Sequence, residues 1–108
     1  MSIVQEVFGV GGDALDAKYV HSICLANGGT STYTIDPSKK YIVYVYLSFT
    51  DNSHNRSSMY YIDNGVMSDM IEAETDYYSG TASLNGTTLT LTGIHPTYRA
   101  WFDVVQLD

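Results

Sequence analysis

The side chains best equipped for chemistry in this chain are aromatic and hydroxylic rather than charged. Tyrosines stand in tandem at Tyr60–Tyr61 and Tyr77–Tyr78, and the single tryptophan, Trp101, lies two residues from Arg99. In a strand one ring of each pair points to either face, so at least two of the four are expected at the surface. An exposed ring that carries a hydroxyl suits stacking on a sugar ring, or anchoring a protein interface at small entropic cost. Trp101 beside Arg99 offers a cation–π or sugar platform, with a core or interface role as the plainer alternative. The polar run that holds Asp51, Asn52, His54 and Asn55 is the longest loop, of the kind that carries recognition in sandwiches. Tyr60, Tyr61, Tyr77, Tyr78, Trp101, Asp51, Asn52, His54 and Asn55 are therefore the candidate ligand-binding or partner-binding residues.

Reactive arrangements are harder to assemble. No nucleophile-elbow pattern occurs, and nothing in the sequence pairs Cys24 with a particular histidine. His21, His54 and His95 match no zinc spacing. Asp63, Asp69, Glu72, Glu74 and Asp76 supply hard oxygens, but without the central Gly and terminal Glu of a calcium loop; a solvated acidic face is the expected role. Two carboxylates could be drawn from that set for glycoside hydrolysis, yet a cleft for it is rare in a chain this short. Gly9, Gly11 and Gly12 are followed by no Lys-Ser/Thr and are surrounded by no strand-turn-helix unit, so they are not a phosphate loop. The expectation is a non-enzymatic protein with no catalytic residues, no metal and no cofactor.

Composition narrows the class. A chain of 108 residues forms one domain that buries roughly two thirds of its unfolded surface. Hydrophobic residues make up 44% and charged ones only 16%, so the surface of an ordered domain must be largely uncharged. Five basic against twelve acidic residues leave a net charge of −7 and no basic stripe, which argues against nucleic acid and against anionic lipid. No stretch approaches the length of a membrane span, and the N-terminus lacks the form of a secretion signal. Cys24 is alone, so no intrachain disulfide forms; between Ile23 and Leu25 it reads as a small buried hydrophobe.

The elements that must position these side chains read as strands. Tyr41–Phe49, written YIVYVYLSF, carries no charge, Gly or Pro, and its β-branched and aromatic residues suit a pleated surface. Alternation puts Tyr41, Val43, Val45, Leu47 and Phe49 on one face and Ile42, Tyr44, Tyr46 and Ser48 on the other. Both faces are largely apolar, which predicts a central strand packed on each side. Ser2–Phe8 reads as a first strand, 1–12 as a possible N-terminal strand or arm, and Asp13–Lys18 as one helical turn capped by Asp13. Tyr19–Ala26 and Thr32–Ile35 read as strands, with Val20 and Ser22 alternating against His21, Ile23 and Leu25. Asp36–Lys39 is a turn. Ser58–Ile62 and Val66–Ile71 flank a reversal at Asp63-Asn64-Gly65, and Thr81–Leu84 and Thr87–Thr92 flank Asn85-Gly86. Leu89 and Leu91 face inward and the threonines between them outward. Ala100–Leu107 closes the fold. The expected architecture is an all-β, antiparallel, jelly-roll-like sandwich formed by residues 1–108, with a core led by Val43, Val45, Leu47, Leu89, Leu91 and the closing strand.

From Thr32 to Asp108 the order of these pieces resembles the small C-terminal β-sandwich domains of phage tail-fibre and tail-associated proteins. The likeness lies in the long strand Lys40–Phe49, the short aromatic strand and turn Met59–Gly65, the hairpin Ser83–Thr92 and the last strand Phe102–Leu107. The resemblance implies a virion structural or receptor-binding module, made in the host cytoplasm and commonly trimeric, that touches the host surface or decorates the particle. Because no shaft or repeat precedes the domain, a free-standing accessory or plug role stays open beside that of an adhesin. Expected partners are other virion proteins, copies of the chain itself with a trimer favoured, and a host-surface glycan, without nucleic acid or membrane insertion. The alternative is a cellular carbohydrate-binding module.

Overall fold

The computed structural model describes residues 17–48, 57–71 and 79–107. They form eight strands: β1 (Ala17–Leu25), β2 (Thr30–Thr34), β3 (Lys40–Ser48), β4 (Ser57–Asp63), β5 (Val66–Ile71), β6 (Gly80–Asn85), β7 (Thr88–Gly93) and β8 (Arg99–Leu107). A five-stranded sheet in the order β1-β8-β3-β4-β5 faces a three-stranded sheet in the order β2-β7-β6, with every pairing antiparallel. The chain is an antiparallel β-sandwich. β1 pairs with β8 in one sheet and β2 with β7 in the other, so the first and last strand pairs fold over the core together, as in a jelly roll. Among the described residues there is no helix, and so none long and apolar enough to cross a membrane.

β3 is the third of five strands, and no polar face is available to it. Its inward side chains Tyr41, Val43 and Val45 pack with Tyr60 and Ile62 of β4 and with Phe102 and Val104 of β8. Leu89 and Leu91 of β7 cover them from the smaller sheet. Burying each aliphatic side chain here is worth roughly 1.5–3 kcal/mol. The opposite side of β3 is closed as well: Ile42 is fully buried with Val105, Leu107, Met59 and Tyr44 in a second cluster. Both faces of the strand are thus inside the molecule, as its composition requires. The outer face of the smaller sheet is the reverse: Thr30, Thr32, Thr34, Thr81, Ser83 and Thr88 stand exposed there.

Turns fix the register. Asp36 Oδ1 accepts from the Ser38 backbone N–H at 2.9 Å and from Ser38 Oγ at 2.7 Å, while Lys39 N–H donates to the Asp36 carbonyl at 2.9 Å. The Asp36 N–H in turn donates to the Tyr41 hydroxyl at 2.8 Å, so the buried tyrosine that starts the central strand also holds the turn before it. Asn64 and Gly65 both have positive φ, 53° and 74°, the two-residue connection whose twist suits antiparallel strands. The crossing from β1 to β2 is tied to the end of β7: Gly28 N–H donates to the Gly93 carbonyl at 2.8 Å, and Gly93 N–H to the Gly29 carbonyl at 2.9 Å.

Several expectations need correction. Ala17 and Lys18 belong to β1 and not to a helical turn, because they pair with Leu107 and Gln106 and complete the sheet edge. Strict alternation in β1 fails at a register shift between Tyr19 and His21, which lets Val20 pack on the core although Ile23 does too. The β6–β7 turn lies one residue later than expected. Asn85 still pairs with Thr88, and Gly86-Thr87 make the loop, with Gly86 alone at positive φ (62°). Cys24 is half-buried on the face opposite Ile23 and Leu25, across from Trp101. Phe49, the proposed strand at Ser2–Phe8 and positions 13–16 of the proposed turn lie outside the described residues.

Gly80 sits where no side chain fits. A Cβ there would collide with the Phe102 ring and stand 2.9 Å from the Ala100 Cβ and 3.0 Å from the Thr92 carbonyl oxygen. Gly80→Ala is expected to destabilise the fold by about 1–3 kcal/mol in urea titration, whereas Thr81→Ala, on the exposed side of the same strand, should change it by less than about 0.5 kcal/mol.

Candidate functional site

The outward face of the larger sheet carries the richest chemistry. Because β8 alternates, Ala100, Phe102 and Val104 enter the core and Trp101, Asp103 and Val105 point the other way. Register then sets their neighbours: Asp103 lies between Ser22 of β1 and Tyr44 of β3, and Trp101 lies between Cys24 and Tyr46. The Asp103 carboxylate accepts from Ser22 Oγ at 2.7 Å through one oxygen, and from the Tyr46 hydroxyl, in a very short bond, through the other. Two donors from two different strands therefore fix the rotamer of one acid. Asp103 has no cationic partner among the described residues.

Around that acid the phenols are perturbed. Burial raises the proton affinity of Tyr46 above the ordinary tyrosine range, and its bond to Asp103, the charge of that carboxylate and the nearby Tyr19 and Tyr44 add to the effect. Tyr44 is raised for the same first reason, with Tyr19 and Asp103 contributing. The Tyr44 and Tyr46 rings lie 6.4 Å apart. The Tyr44 hydroxyl is buried and has no hydrogen-bond partner among the described residues. At the edge of the cluster Trp101 is 43% exposed and Tyr19 67%. The arrangement can accept hydrogen bonds from a polyhydroxylated partner and stack against its apolar side.

The residues singled out from the sequence are distributed unevenly. Trp101 is on this face and exposed, which departs from a core role. Tyr61 is half-buried against the Ile42 cluster. Tyr60 is only 6% exposed and belongs to the inner core, so it cannot be a surface platform: its alternation in β4 turns it toward the smaller sheet. Tyr77, Tyr78, Asp51, Asn52, His54 and Asn55 lie outside the described residues. His21 bridges the sheets, with Nε2 2.9 Å from Ser31 Oγ and its ring stacked on Tyr33 at 5.8 Å. His95 Nδ1 accepts from the backbone N–H groups of Thr97 and Tyr98, each at 3.0 Å, and so organises the β7–β8 loop. Among the described residues no three His, Cys, Asp or Glu side chains converge as metal ligands. Ser22, Tyr46 and Asp103 escaped sequence reasoning because strands 81 residues apart bring Ser22 and Asp103 together. The one available signal was a lone acid amid the apolar residues at the middle of the closing strand.

No protein-family model matches the chain, and no curated protein matches it. Among solved structures its fold is similar to part of the tailspike protein gp49 from Acinetobacter baumannii bacteriophage Fri1, a capsular polysaccharide depolymerase. The TM-score is 0.54 at 10% identity, over 98% of this chain and 21% of that one. The chain spans about a fifth of that tailspike's length, and the likeness is one of fold.

Two predictions follow from the phenol cluster. Tyr44→Phe removes a buried hydroxyl with no partner among the described residues, so thermal or urea unfolding should show stability unchanged or raised by up to about 1–2 kcal/mol. A tyrosine held above its ordinary value keeps its proton in the folded state after the unfolded chain has lost it. Its contribution is therefore complete below about pH 10 and declines as pH rises beyond that. As pH rises above about 10, stability should fall more steeply in the natural protein than in Tyr46→Phe, measured as the urea midpoint at each pH.

Proposed function

We propose that this chain is a contact module of a phage virion, at a tail or fibre tip or as a decoration of the particle, that works by binding rather than by catalysis. The observation that carries the reading is the set of outward groups on the larger sheet: an exposed indole, an exposed phenol and an acid oriented by two hydroxyls. A sandwich fold similar to a stretch of a phage tailspike supports the virion setting. Its partners in this reading are other virion proteins, copies of itself and a host-surface glycan, with no part for nucleic acid or membrane insertion. The chain is made in the host cytoplasm and acts on the particle.

Self-association is supported by the sheet edges, while a trimer is what the resemblance to tail-fibre domains implies. β1 and β5, the edges of the larger sheet, each carry a charge (Lys18, Asp69) and a register shift, devices that discourage strand addition. Edge strands β2 and β6 of the smaller sheet have neither, nor any Pro. Val66, Met70 and Ile94 are exposed apolar side chains.

An antibody against the chain is expected to decorate particles assembled from the genome that encodes it; purified particles without label would overturn the virion reading. Native mass measurement at micromolar concentration should give an oligomer, and a monomer would remove the self-association. Release of reducing ends from a bacterial polysaccharide would contradict the contact mechanism. A second reading, a cellular carbohydrate-binding module, is favoured by Trp101 beside Asp103, and saccharide binding without particle labelling would select it.

A further inference from the structure

Resting on the contact reading above, we propose that Trp101, Asp103 and Ser22, with Tyr19 and Tyr44 beside them, form a binding site for a short run of linked neutral or amino pyranose sugars. Trp101 supplies the platform, since the C–H face of a pyranose packs on an aromatic ring while its hydroxyls stay in reach of polar neighbours. Asp103 supplies the acceptors. A carboxylate has about four lone-pair sites, and Ser22 and Tyr46 occupy two, so the others face a ligand from an orientation already fixed. Bonds from sugar hydroxyls to this charge are stronger than those between neutral groups.

The third observation is Tyr44. The side chain is more than nine-tenths buried and its hydroxyl has no partner among the described residues, whereas buried polar atoms are nearly always paired. Tyr19, two-thirds exposed, stands on the same side of the sheet, paired with Val105 of β8. In the proposed site a ligand hydroxyl takes up the Tyr44 donor.

Scale and charge select the ligand. The apolar floor of this face, Ile42, Val105 and Leu107, is already closed, which leaves two rings and a few hydroxyls rather than the 1,200 Å² or roughly more that a stable protein interface buries. At about 3.3 Å per residue, Trp101 and the Val105 level opposite Tyr19 are about 13 Å apart with Asp103 midway, an extended site for successive sugar rings. By alternation Arg99 and Lys40 lie at opposite ends of the face and neither is adjacent to Asp103, so an acidic sugar at the centre is disfavoured.

The single tryptophan makes the test direct. The full chain is titrated with cellotriose, maltotriose, chitotriose and trigalacturonate while Trp101 emission is followed, with calorimetry for variants that lack the indole. At least one neutral or amino trisaccharide is expected to shift the emission saturably. Asp103→Asn should weaken it by about tenfold or more, and Tyr44→Phe by roughly threefold to tenfold without loss of stability. Trp101→Ala, at an exposed position, should abolish the calorimetric signal with the fold intact. No response to any of the four sugars, full affinity in Asp103→Asn, or preference for trigalacturonate would overturn the site. Labelled particles with no sugar bound would overturn this site and leave the virion role; binding without labelled particles would do the reverse.

Discussion

A strand that is apolar on both faces has to be enclosed on both faces, and β3 imposes that demand on everything around it. Tyr41, Val43 and Val45 call for a second sheet, which β2, β7 and β6 provide; Ile42 and Tyr44 call for closure on the other side, where Val105, Leu107 and Met59 meet them. Neither set would hold alone, since an apolar face left open to water gives up the burial that stabilises the sheet. The antiparallel partners β8 and β4 are the ones that extend both clusters, because each also alternates between inward and outward apolar residues.

The candidate site is a consequence of that two-sided strand. The same alternation that sends Phe102 and Val104 into the core leaves Asp103 and Trp101 on the opposite side, beside Tyr44 and Tyr46 of β3. An acid there is tolerable only because Ser22 and Tyr46 bond to it, and those bonds also remove its freedom of orientation. Packing and recognition therefore share residues: Tyr46 fills the edge of the outer cluster with its ring and anchors the acid with its hydroxyl.

Period-two patterning made the sheet residues legible in the sequence, as in β3, in Leu89 and Leu91 of β7, and in the closing strand. Turn chemistry located the Asp36 and Asn64-Gly65 reversals. What patterning could not convey was register between strands distant along the chain. Tyr60 has the same local surroundings as Tyr61, and only the position of the smaller sheet decides which of them is inside. The β1 irregularity at Tyr19 and His21 has no local signal either, yet it decides where Tyr19 stands relative to the acid. The Asn85-Gly86 pair announced a hairpin without stating which two residues would be its loop, because Gly86 serves a turn in either position.

The pairing of Ala17 with Leu107 has a mechanical meaning. Antiparallel neighbours that begin and finish at the same pole do not slide past each other when tension is applied through those two points; their ladder opens one rung after another from that pole. Load led in through both β1 and β8 would thus meet a zipper, while the crossing bonds between Gly28, Gly29 and Gly93 at the far pole would be the last to feel it.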